Sequence, residues 1–75
     1  MKKAEIAENI KKQAQGLIEK YLLKDDERLI IGFDKDFEVD FTVTEQPLDG
    51  WISWASFEDH GSELVEVLAE SVYNI

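Results

Sequence analysis

The chain has 75 residues, with 17 acidic against 8 basic side chains, a formal charge of −9 and no cysteine. That length supports one small domain with a thin core, and the missing cysteines exclude disulfides and thiolate-held metals. The acidic excess disfavours nucleic acid and anionic membrane as direct partners and favours basic surfaces.

The charge is also segregated along the chain. From Asp36 to Ile75 there are ten acids and no lysine or arginine, whereas all eight bases lie in the first 35 positions beside seven acids. A hydrophobic fraction of 44% argues for a folded chain. Apolar runs such as Leu29-Ile30-Ile31 are far too short to span a membrane. Met1-Lys2-Lys3 starts like an export signal, but Glu5, Glu8, Lys11 and Lys12 break the apolar stretch that should follow. The expectation is a cytoplasmic protein.

The first element is a helix. Ile6, Ala7, Ile10, Ala14, Leu17, Ile18 and Tyr21 recur at three- and four-residue spacings. Gly16 falls on the opposite side, and Asp25-Asp26-Glu27 forms the turn expected to end the helix. Three strands follow. Leu29, Ile31 and Phe33 alternate with Ile30 and Gly32. Phe37, Val39, Phe41 and Val43 then alternate with Glu38, Asp40, Thr42 and Thr44. After a loop with an Asp49-Gly50 turn signal, Trp51–Ala55 forms the third strand. In a regular strand Trp51 and Trp54, three apart, point to opposite faces. A second helix carries Leu64, Val65, Leu68 and Val72, with Ser62 as its expected N-cap and an earlier start at Ser56 as the alternative.

The order α-β-β-β-α over residues 1–75 predicts a single α+β domain: a three-stranded antiparallel sheet with two helices on one face. Short connections suggest a meander, with the helices on the side of Phe37, Val39, Phe41 and Val43. Ile30, Glu38, Asp40, Thr42 and one tryptophan then face solvent. The element order resembles that of double-stranded-RNA-binding domains. Those domains place cations at the start of the second helix, where this chain has Gly61-Ser62-Glu63, so the resemblance does not extend to RNA binding.

Two sets of residues are candidates for partner binding. Asp59, Glu63, Glu66 and Glu70, spaced four, three and four apart, form a carboxylate ridge on the second helix, which Asp59 joins only if that helix starts early. The sharp reading is a row of charges imitating nucleic-acid phosphates; the bland one is a solvated polar face. The sharp reading carries a condition: Lys11, Lys12 or Lys20 facing those carboxylates across a helix–helix seam neutralises the field internally, and the mimicry reading then reduces to an ordinary soluble fold. The second set is Glu38 and Asp40 beside an exposed tryptophan, taken as Trp54, on the open sheet face.

Other chemistry finds no support. Asp34 to Asp40 looks superficially like a calcium loop, but Val39 stands where that loop needs glycine, so no metal is expected. His60, with Asp59 and the serines Ser53, Ser56 and Ser62 nearby, lacks the Gly-x-Ser-x-Gly elbow of a hydrolase. No catalytic residue and no cofactor is assigned.

The expected function is a non-catalytic acidic module that inhibits by docking on a basic, nucleic-acid-binding surface, such as that of a nuclease. In size and charge the chain resembles the small acidic anti-CRISPR and anti-restriction proteins of phages and plasmids, a likeness of class and not of motif. The alternative is a homodimer or adaptor that uses the open sheet face or an edge strand.

Overall fold

A computed structural model describes residues 2–21, 23–58 and 62–75, with Ser62 described by its backbone only. Helix α1 spans Lys3–Lys20 and buries Ala7, Ile10, Ala14 and Ile18. It stops at Tyr21, whose backbone is extended, so the chain leaves the helix before the acidic turn expected to end it. Two local contacts explain the earlier exit. The Tyr21 ring packs against Phe41 with centroids 4.3 Å apart. Residues 24–27 then close their own turn, in which the Glu27 carboxylate accepts the Lys24 N–H at 2.9 Å. Gly16 lies on the solvent side, as its position in the apolar pattern predicts.

Strands β1 (Leu29–Asp34), β2 (Val39–Val43) and β3 (Trp51–Phe57) form one antiparallel sheet in the order β2-β1-β3. Helix α2 (Ser62–Ser71) and a short 3₁₀ turn (Val72–Asn74) complete the chain. The α-β-β-β-α order and the three-stranded antiparallel sheet are as predicted. The meander is not: β1 occupies the centre, and the chain passes from β2 over β1 to reach β3.

Chain reach permits that crossing. Val43 pairs with Leu29 at one end of β1, and Trp51 pairs with Asp34 at the other. The diagonal between those points is about 19 Å at ordinary strand spacing and rise. Residues 44–50 supply steps enough for about 27 Å, which suits a direct traverse. The helices occupy the inner face of the sheet, so the traverse runs over the outer one. The Thr42 hydroxyl, buried on that face, donates to the Glu45 carboxylate in the crossover at 3.2 Å. Ile30, also on the outer face, is buried although it takes no part in the helix-side core.

The core lies between the sheet and the two helices. Leu29, Ile31 and Phe33 of β1 meet Ile10, Ala14 and Ile18 of α1 and Leu64, Val65, Leu68 and Val72 of the C-terminal segment. Val39, Phe41, Val43, Ala55 and Phe57 pack at its margins. The expected inner face of β2 is therefore correct, with one amendment. Phe37 precedes the strand, in a left-handed conformation at φ 62°. The β1–β2 hairpin has Asp34 as its hub: its carboxylate accepts the N–H groups of Asp36 and Glu38 at 2.9 and 3.1 Å, and its C=O accepts the Phe37 N–H. A β-branched or aromatic residue seldom adopts positive φ. Here the Asp34 bonds hold the turn, and the Phe37 ring stacks on Phe33 at 5.7 Å.

The alternative early start of α2 at Ser56 is overturned. Ser56 lies within β3, paired with Ile30, so β3 runs two residues beyond the expected end at Ala55. Helix α2 begins at Ser62.

Candidate partner-binding face

A bulge in β3 creates the most distinctive surface. Phe33 pairs with Ser53, yet the next β1 residue, Asp34, pairs with Trp51, so Ile52 is an extra residue in β3. An inserted residue shifts the side-chain alternation by one place. Trp51 thereby moves onto the outer face with Trp54. The expectation that only one tryptophan lies there is overturned.

Gly32 shows where the first indole sits. A Cβ built on Gly32 would lie 2.3 and 2.6 Å from ring atoms of Trp51 and 2.8 Å from the Ser53 carbonyl oxygen. The Trp51 ring lies over Gly32 of the central strand and is half-buried. Trp54, paired with Gly32 from the β3 side, stays 51% exposed, and the bulged Ile52 stays 46% exposed. Leu48, at the end of the crossover, is exposed too, and its C=O accepts the Trp51 N–H at 3.4 Å. Ile30 and Thr42, expected to face solvent here, are instead buried.

Exposed carboxylates lie on this side of the sheet and on its adjoining loops. Asp40 occupies the same cross-strand row as Gly32 and Trp54. Glu38 is exposed in the hairpin, and Glu45 and Asp49 are exposed on the crossover. None of these four has an ion-pair partner among the described residues. Asp40 also has a role that sequence reasoning missed: its carboxylate accepts the N–H of Phe41 at 2.8 Å.

The ridge on α2 takes a different form. Lys11 of α1 forms an ion pair with Glu66 across the helix–helix seam. The Glu66 carboxylate, by hydrogen bond and by charge, raises the Lys11 ammonium above its ordinary pKa, with a smaller contribution from Glu8. This is the neutralising contact on which the ridge reading was conditional. Glu63 and Glu70 are exposed on either side of it, and Asp59 lies outside the described residues, as do His60 and Gly61. A second pair joins Arg28, just before β1, to Glu58, just after β3, at 3.3 Å. Bases from the first half of the chain thus cancel two acids of the second.

No family model, curated protein or solved structure matches the chain. Among the described residues, no helix is long and apolar enough to cross a membrane.

Proposed function

We propose that the protein is a non-catalytic binding module that docks on a basic protein surface through its outer sheet face. The observation that carries the reading is the bulge at Ile52, which gathers Trp51 and Trp54 on one face, in line with the exposed Asp40. Trp54 and Ile52 supply the apolar anchor, since interface energy concentrates in a few aromatic and apolar residues. An arginine or lysine of the partner can lie over the exposed indole while its charge faces Asp40 or Asp49. A nucleic-acid-binding protein is one class that presents such a basic surface. The α2 ridge has a lesser part, because Lys11 neutralises Glu66 at its middle.

The test compares three immobilised forms in capture from a cell lysate: the native chain, Trp54→Ala, and Glu63→Lys/Glu70→Lys. A protein recovered by the native chain and the double variant but lost with Trp54→Ala supports the outer face. One that Trp54→Ala retains and the double variant loses returns the site to α2.

A further inference from the structure

The two edges of the sheet differ in a way that points to a second copy of the chain. In the β1–β2 ladder the Thr44 N–H donates to the Arg28 C=O, and the Asp34 N–H donates to the Glu38 C=O. With the observed register, the even-numbered backbone groups of β1 therefore face β2 and the odd-numbered ones face β3. It follows that Phe41 and Val43 of β2, and Trp54 and Ser56 of β3, turn their N–H and C=O groups outward from the sheet.

The β2 edge is closed by its own side chains. The Asp40 carboxylate takes the outward Phe41 N–H at 2.8 Å, and the Thr44 hydroxyl donates to the outward Val43 C=O at 2.6 Å. Side-chain capping and charge are the usual means of keeping an edge strand from pairing. The β3 edge has neither. Its residues Trp51–Phe57 include no charge and no proline, and the outward groups of Trp54 and Ser56 have no hydrogen-bond partner among the described residues.

We infer that β3 pairs antiparallel with β3 of a second copy, giving a continuous six-stranded sheet. Unpaired, alternating N–H and C=O groups are a template for a strand. The sequence of the edge selects a copy of itself. With Ala55 opposite Ala55 on the two-fold axis, Trp54 meets Ser56 of the other copy and Phe57 meets Ser53. Over Ser53–Phe57 each large side chain thus faces a small one across the seam, on both faces of the sheet. This register also makes the outward groups of Trp54 and Ser56 the hydrogen-bonded pairs, as their orientation demands. The absence of charge along the strand leaves the centre of the seam free of carboxylates, and Glu58, at each end, is paired with Arg28 of its own chain. The outer faces then join, so the dimer presents two Trp54 anchors side by side. The pairing itself does not depend on the outer face binding a partner.

Sedimentation of the purified chain at about 100 μM, where a micromolar dimer is nearly fully associated, should give twice the 8.6 kDa chain mass. Amide hydrogen exchange is the second readout. The Trp54 and Ser56 amides should be protected at that concentration and lose protection on dilution. Ser56→Pro removes an outward N–H without breaking the β1–β3 ladder and should leave a folded monomer by circular dichroism. A monomer mass with fast exchange at Trp54 and Ser56 overturns the inference, and so does a Ser56→Pro chain that remains dimeric. If Ser56→Pro does not fold, the exchange measurement on the native chain decides alone.

Discussion

Gly32 is the residue on which the outer face depends. The Trp51 ring fills the space that any side chain at Gly32 would need. Gly32→Ala should therefore cost about 1–3 kcal/mol, the range for overpacking a close contact, and should shift tryptophan emission as the Trp51 indole is displaced. Urea unfolding with fluorescence reads both effects. Unchanged stability and emission would contradict the placement of the ring. The neighbouring hairpin makes a second prediction. Asp34→Ala removes the acceptor for two turn amides and the brace that holds Phe37 at positive φ. It should destabilise the chain by about 1 kcal/mol, measured in the same way. The alternation of Phe37 with Val39 marks its side chain for the core, and the ring does join the core margin. Its left-handed backbone was not legible in the sequence, because glycine or asparagine ordinarily signals that conformation.

At the scale of elements, local periodicity identified each helix and strand, whereas strand order depended on a distance. The stripe of α1 and the alternation of β2 follow from their own residues. Whether residues 44–50 turn back beside β2 or cross β1 depends on which edge offers the better seat, and spacing does not encode that. The bulge is hidden for a similar reason: it is defined by register against β1, so Trp51 and Trp54 read as opposite when β3 is taken alone. The β3–α2 boundary was ambiguous because Ser56 and Ser62 are both good caps, and pairing of Ser56 with Ile30 decided it. The two edges carry a prediction of their own. Asp40→Ala frees the Phe41 N–H and opens the β2 edge, so it should add higher oligomers in sedimentation, while Asp40→Asn keeps an acceptor and should not. Identical profiles for the two variants would contradict the capping role of Asp40.

For the whole molecule, folding redistributes the charge that the sequence separates. The basic first half meets the acidic second half at two places, Lys11 with Glu66 and Arg28 with Glu58. Sequence order alone made the α2 ridge prominent, because helical spacing aligns Glu63, Glu66 and Glu70 while the facing residue of α1 is a tertiary matter. Glu38, Asp40, Glu45 and Asp49 are exposed without ion-pair partners among the described residues, so the sheet side carries negative charge that the helical spacing of α2 did not point to. Association with a basic partner should slow as salt rises, with a smaller change in dissociation, because exposed rim charges steer encounter more than they hold the complex. The most direct measurement places a photo-reactive residue at Ile52 in one form of the chain and at Val67, at least as exposed on α2, in another. Irradiated in cell lysate, the Ile52 form should cross-link to a basic protein other than itself, and the Val67 form should not. Cross-linking from Val67 alone would contradict the assignment of the outer sheet face as the docking surface.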